Sequence, residues 1–235
     1  MSGAVADPGG DDTAALDNPI YASLTSVHAR FAERNRRALR YTADVAPFLA
    51  LAPGSAAEDW ADAVELLPPG AFAGTIDDGS PLPPQLRVAQ RFEIVQMVGT
   101  RARGAADPDT LTLGAADVAE MLELVRATEP GPFFERTVEL GRYVGLRSDG
   151  VLVAMAGERM HLDGWTEISA VCTAAAHRGR GLASRLIGTL VADIHARSEG
   201  VFLHVLTSNT TAIALYEGLG FDVRERSAML VLTRA

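Results

Sequence analysis

The chain is predicted to fold as a mixed α/β domain, a mostly antiparallel sheet flanked by helices, and three features of its sequence carry that expectation. Three β-like runs, 141–147, 151–159 and 165–173, follow one another across the turns Ser148-Asp149-Gly150 and Leu162-Asp163-Gly164, as in an antiparallel meander. Downstream, Leu182, Leu186, Leu190 and Ile194 recur at every fourth position with Ile187 and Val191 beside them, the pattern of an amphipathic helix. Between meander and helix stands a glycine-bearing turn, His177-Arg178-Gly179-Arg180-Gly181-Leu182-Ala183-Ser184. A length of 235 residues with 48% hydrophobic content is ample for a packed core.

The remaining elements read in order along the chain. Residues 1–13 are rich in Gly, Ala and Asp and lack both a basic n-region and an apolar h-region, so they read as a disordered tail and not as a secretion signal. Asp17-Asn18-Pro19 opens a helix-like segment whose Ile20, Leu24, Val27 and Phe31 form one apolar stripe, followed by an arginine-dense portion, Arg30, Arg34, Arg36, Arg37 and Arg40. That run reads as a solvated helix face partly neutralised by Glu33; its other reading is a site for an anionic partner or RNA. A strand is expected at Arg91 to Val98, between the Pro-rich 81–84 and the Gly/Asp-rich 99–109. Residues 14–105 are therefore expected to form an appended α/β region, and 106–235 the main domain.

Within the main domain, Thr110 to Leu113 reads as a short strand and Ala116 to Thr128 as a helix with Val118, Met121, Leu122 and Val125 on one face. Glu129-Pro130-Gly131-Pro132 must end it, because a residue preceding proline is disfavoured in the α region. Val201 to Leu206 is an apolar strand, Asn209 is suited to cap the next helix, and Gly220 to end it. Phe221 to Arg226 and Ala228 to Thr233 read as a closing pair of strands.

Composition narrows the function. No run of about 18 or more apolar residues is present to span a membrane. A net charge of −9 opposes general nucleic-acid binding, and all 21 basic residues are arginine, a skew that fits a GC-rich genome better than a binding property. The single Cys172 excludes an internal disulfide framework and suggests a reducing compartment, so a cytoplasmic location is expected. No cluster of His, Cys, Asp and Glu has metal-ligand spacing, and no metal is expected.

The glycine turn carries the chemistry. Two glycines let the backbone approach a ligand, successive N–H groups can converge on phosphate oxygens, and the following helix adds its dipole. Its spacing is Arg178-x-x-Gly181-x-Ala183, which is neither Gly-x-x-x-x-Gly-Lys-Ser/Thr nor a dinucleotide fingerprint. It resembles the pyrophosphate loop of the GNAT superfamily of N-acetyltransferases, Gln/Arg-x-x-Gly-x-Gly/Ala. Downstream, Asn209-Thr-Thr-Ala212-Ile-Ala-Leu-Tyr216-Glu-Gly-Leu219-Gly220-Phe221 is similar to the family's second signature. The loop entry Ala174-Ala175-Ala176 departs from the pattern, since relatives often carry a proline in its middle.

This resemblance implies an acyl-CoA N-acyltransferase fold, with 14–105 as a degenerate acyltransferase half, and acetyl-CoA as co-substrate. The strand before the loop would splay from its neighbour, freeing the amides of Val171, Cys172 and Thr173 for the pantetheine and thioester. Arg178, Gly179, Arg180, Gly181, Leu182, Ala183 and Ser184 would wrap the pyrophosphate, and Asn209 would touch the coenzyme arm or serve only as a cap. Tyr216 would give a proton to the thiolate. Glu167, placed by alternation on the face of Ser169, Val171 and Thr173, is either a general base or an edge carboxylate paired with an arginine; Glu135, Glu158 and His204 are weaker candidates. The implied reaction is direct attack by a primary amine, on a small molecule or peptide, in a ternary complex without an acyl-enzyme. The acceptor is expected between 130–136 and the terminal strands, with no nucleic-acid or membrane partner and a homodimer left open. The alternative is a non-catalytic acyl-CoA sensor.

Overall fold

The computed structural model describes residues 13–234, so the tail expected at 1–13 lies, apart from Thr13, outside the described residues. A 3-10 turn, Ala14–Asp17, leads into helix α1, Pro19–Thr25. Asn18 caps α1 by accepting the Tyr21 N–H at 3.2 Å, and Pro19 sits in the first turn, where its missing N–H costs nothing. The helix is shorter than its apolar stripe suggested. The Thr25 and Ser26 hydroxyls bond back to the carbonyls of Tyr21 and Ala22, competing with the helical ladder. Val27 is then 50% exposed, and Phe31 reaches the core from a separate 3-10 turn, Ala29–Phe31.

From Arg34 to Arg40 the arginine run occupies a β-hairpin and not a helix face, and Arg30 lies in the 3-10 turn before it. Strands β1 (Ala32–Asn35) and β2 (Ala38–Tyr41) pair antiparallel, with Arg36 in the left-handed region (φ 43°) at the turn. Register sets Glu33 opposite Arg40, whose buried guanidinium it binds at 2.6 Å, and Arg37 binds Asp59 at 3.1 Å. Arg37 and Arg40 are thus paired within the fold. Strand β3 (Leu49–Leu51) completes a three-stranded sheet, against which helix α2 (Trp60–Leu66) packs Trp60 and Ala63.

Two strands from within residues 14–105 are woven into the main sheet. After β4 (Phe72–Ile76) and β5 (Leu86–Val98) come β6 (Leu111–Leu113), α3 (Val118–Thr128), β7 (Tyr143–Ser148), β8 (Val151–Leu162), β9 (Trp165–Thr173), α4 (Leu182–Ala196), β10 (Gly200–Leu206), α5 (Thr210–Gly218) and β11 (Asp222–Arg234). The eight strands lie in the order β4-β11-β5-β10-β9-β8-β7-β6, and only β9 and β10 are parallel neighbours. Residues 94–98 of β5 are all buried, which requires a central strand, and β5 lies between β10 and β11. The expected closing pair of strands is one strand, β11, held to β5 along its length across a bulge between Val223 and Glu225.

Both faces of the sheet are covered. Helices α4 and α5 bury Leu186, Ile187, Leu190 and Tyr216 against Val95, Leu203 and Ile168 on one face. On the other, α1 and the small sheet cover Trp165 and Phe202, while α3 covers Tyr143, Met155 and Cys172. Each leucine-sized side chain so buried contributes about 1.5–3 kcal/mol. The connection from β5 to β6 crosses over α4, where only glycine fits at 104: a Cβ there would lie 2.0 Å from the Gly188 carbonyl oxygen.

Candidate active site: a parted strand pair above a glycine loop

Strands β9 and β10 are paired at Trp165, Thr166 and Glu167, opposite Gly200, Val201 and Phe202, and then diverge. From there β9 follows β8 and β10 follows β5. The divergence coincides with a bulge in β9, where the register with β8 slips between Met155 and Gly157 and Ala170 takes a left-handed φ of 53°. A non-glycine residue held there stores of order 1–3 kcal/mol of strain, the kind found at functional sites.

Hydrogen-bond alternation decides which amides face the gap. The Ala174 N–H bonds the Val153 carbonyl at 2.8 Å, which makes Thr173 and Ala154 a non-hydrogen-bonded pair. The main-chain groups of Thr173 and, two residues earlier, Val171 therefore turn away from β8 into the gap. Cys172, expected to offer its amide beside them, turns it toward β8. The bulge also breaks the side-chain alternation expected from Glu167: Val171 packs on the α4 face, whereas Ala170 and Cys172 pack with Met121 and Phe133 under α3.

At the end of β9 a 3-10 turn, Ala175–His177, closes through the His177 N–H to the Ala174 carbonyl at 2.8 Å. Arg178 reaches back to donate from Nε to the Thr173 carbonyl at 3.2 Å, tying the loop to the strand end. Gly179 and Gly181 have φ of 75° and 73°, and nothing lies near either missing Cβ, so the loop needs their conformation. Gly181 is the N-cap of α4, whose first turn holds Leu182, Ala183 and Ser184. A cleft of about 370 Å³ adjoins the loop, lined by Leu146, Arg147, Val153, His177, Arg180 and Arg185.

Tyr216 lies on α5, its ring edge-on to Phe221 at 5.9 Å, and burial pushes its hydroxyl up to about 12. It stays a proton donor at any physiological pH. Asn209 caps α5 by accepting the Ala212 N–H at 3.1 Å. Burial also pushes up the Cys172 thiol, which makes it a poor nucleophile.

Glu167 is fully buried, and both its oxygens are occupied. Arg159 grips it in bidentate fashion at 2.6 and 2.8 Å, and His204 Nδ1 lies 2.7 Å from Oε1. Burial alone would raise this carboxyl, but the Arg159 charge and the hydrogen bonds from Arg159 and His204 prevail and bring it down to about 2. Of the two readings left open by sequence, the geometry is that of a carboxylate paired with an arginine, too acidic to hold an amine proton itself. His204 stands on β10 just past the parting point; its Nε2 meets Gln96 Nε2 at 3.2 Å, and Arg224 donates to Gln96 Oε1 at 2.9 Å. The sequence reading ranked His204 low and missed Gln96, Arg159 and Arg224; the legible signal was Arg159 facing Glu167 across a tight turn.

Of the other candidates, Glu158 is buried against Arg197 at 2.9 Å, and Glu135 is exposed. The loop at 130–136 is anchored to the N-terminal region: Arg136 binds Asp44 at 3.1 Å, and the Thr137 hydroxyl donates to the Val45 carbonyl at 2.7 Å. Asp44 and Val45 thus border the loop at which the acceptor was expected. Among the described residues, no group of three or more His, Cys, Asp and Glu side chains could hold a metal ion, and no helix is long and apolar enough to cross a membrane.

The family described as FR47-like protein matches residues 143–230, which include the parted strands, the loop and Tyr216. The chain is 36% identical to the N-alpha-acetyltransferase RimI of Mycobacterium tuberculosis, over 50% of this chain and 82% of that protein. A 42% match to an uncharacterized protein of Mycobacterium leprae covers 34% of this chain and only 23% of that longer one. A crystal structure of an acetyltransferase from the GNAT family of Novosphingobium aromaticivorans is similar over 94% of this chain and 98% of its own, at 36% identity and a TM-score of 0.85. The chain belongs to the GNAT family of N-acetyltransferases.

Proposed function

We propose that the protein transfers an acetyl group from acetyl-CoA to a primary amine by direct attack in a ternary complex. The observation that carries this reading is the parted strand pair, with the amides of Val171 and Thr173 turned into the gap above a doubly left-handed glycine loop. Residues 178–184 would hold the diphosphate through main-chain N–H groups, and Asn209 would stand beside the coenzyme arm. Acetyl-CoA, so held, supplies an activated acyl thioester. The Val171 and Thr173 N–H groups would stabilise negative charge on the reacting carbonyl oxygen, and the buried Tyr216 hydroxyl would protonate the departing thiolate.

Glu167 would act through His204. Its carboxylate accepts the Nδ1–H, orienting the ring and leaving Nε2 to take the amine proton. The raised Cys172 thiol supports direct attack over an acyl-enzyme. The similarity to a RimI N-alpha-acetyltransferase favours a peptide α-amine among acceptors, and a free, buried cysteine suits a cytoplasmic enzyme. A thiol-release assay with acetyl-CoA against peptide N-termini, polyamines, amino acids and aminoglycosides tests the reading. Turnover on peptide N-termini is expected. Acetyl-CoA binding without turnover on any amine would contradict it and leave a coenzyme sensor.

A further inference from the structure

We infer that Gln96 is a positioning residue for the His204 base: held by Arg224 and by the Leu16 carbonyl, its amide fixes the imidazole as the Nδ1–H tautomer and keeps Nε2 unprotonated for the acceptor. This rests on the proposed role of His204. A guanidinium only donates, so the Gln96 atom 2.9 Å from Arg224 Nη1 is the oxygen. A carbonyl oxygen only accepts, so the atom 2.9 Å from the Leu16 oxygen is the NH2. The two contacts agree. Turning the amide over would set donor against donor at Arg224 and oxygen against oxygen at Leu16.

The orientation so fixed leaves one N–H of Gln96 aimed at His204 Nε2, 3.2 Å away. Nε2 must therefore offer its lone pair, and the ring proton lies on Nδ1, facing the Glu167 carboxylate at 2.7 Å. Charged and titratable groups reach this ring from every side. Glu167 and Arg159 come from β9 and β8, Tyr41 stands beyond them on β2, and the Phe202 ring is edge-on at 5.8 Å. On the β11 side Arg224 is itself held by Glu225 at 3.2 Å, by the Thr13 carbonyl at 3.1 Å and by Asp17.

The Gln96 N–H thus occupies the place an acceptor's N–H would take. An entering amine exchanges one hydrogen bond to Nε2 for another, and the amide remains tied to Leu16. The opposite tautomer could not accept a proton at Nε2 at all.

Nitrogen-15 NMR of the histidines in the full chain tests this without reference to turnover. In the wild type, His204 Nε2 is expected to resonate as an unprotonated ring nitrogen and Nδ1 as a protonated one; a protonated Nε2 overturns the inference. In Gln96→Glu, of nearly the same shape, the carboxylate accepts, so Nε2 is expected to gain a proton. kcat should then fall by about 100-fold or more, with the KM for acetyl-CoA within about twofold. An unchanged Nε2 signal in that variant also overturns it. Should Gln96→Glu fail to fold, Gln96→Met removes the donor at Nε2 without adding a charge, and the His204 Nε2 signal is expected to move to that of an unprotonated nitrogen with no hydrogen bond; an unmoved signal contradicts the account. Histidine signals as expected together with a wild-type kcat in His204→Ala would refute the catalytic reading alone.

Discussion

Glu167→Gln puts a number on the buried charge cluster. The carboxyl drops from its ordinary 4.5 to about 2 in the folded chain, which at 1.36 kcal/mol per unit corresponds to about 3 kcal/mol of stability at neutral pH. An independent route gives a similar figure. The variant leaves the Arg159 guanidinium, with a side chain only 14% exposed, without its counter-charge, and breaking a buried pair in this way costs about 3–5 kcal/mol. For a domain of this size about 3 kcal/mol lowers Tm by roughly 6–12 °C. The sign of the pH dependence follows from the direction of the shift. The folded carboxyl is more acidic than the unfolded one, so its stabilisation is complete above pH 4.5 and is lost as pH falls toward 2. Urea unfolding of both proteins at pH 7, 4 and 3, followed by circular dichroism, measures this. Wild type and variant should differ by about 3 kcal/mol at pH 7 and converge in acid. Equal stability at pH 7, or an equal gap at all three pH values, would refute the reasoning.

Three further outcomes are expected. Tyr216→Phe should lower kcat by about 100-fold or more while the Kd for acetyl-CoA stays within about twofold, as measured by thiol release and calorimetry; an unchanged kcat removes Tyr216 from proton transfer. Gly181→Ala must hold a Cβ at φ 73°, which costs about 1–2 kcal/mol, so acetyl-CoA should bind about tenfold more weakly; undiminished affinity would show that the loop does not need that conformation. Gly104→Ala drives a methyl group to 2.0 Å from the Gly188 carbonyl and 2.5 Å from the Ala192 nitrogen, both backbone atoms of α4. Thermal melting should record a loss of about 1–3 kcal/mol or more.

Sequence was most legible where local pattern and tertiary demand agree. The β7–β8 turn, with Asp149 at φ 51° and Gly150 at 83°, is written in Ser148-Asp149-Gly150. The α4 stripe is equally plain, as are the Asn209 cap and the left-handed Gly220. The loop could be read because glycine is the residue that takes a left-handed φ freely, twice within three positions. What failed depended on partners distant in sequence. Nothing local in Arg34, Arg36 and Arg37 separates a helix face from a hairpin; the pairing of β1 with β2 and β3 decides it. The run Ile94-Val95-Gln96-Met97-Val98 signals a strand but not that it inserts between β10 and β11. The bulge at Ala170 has no glycine to announce it, so strict alternation misplaced Val171 relative to Glu167. The Glu167–His204–Gln96–Arg224 chain draws on four separate strands, and only the folded sheet brings those residues within hydrogen-bond distance.

A crystal structure with acetyl-CoA tests the account at its centre. The thioester and pantetheine are expected along the gap between β9 and β10, accepting hydrogen bonds from the Val171 and Thr173 amides, with the diphosphate over Gly179 to Ser184. Coenzyme bound elsewhere on the chain, or the two strands closed into a continuous ladder beneath it, would contradict the account.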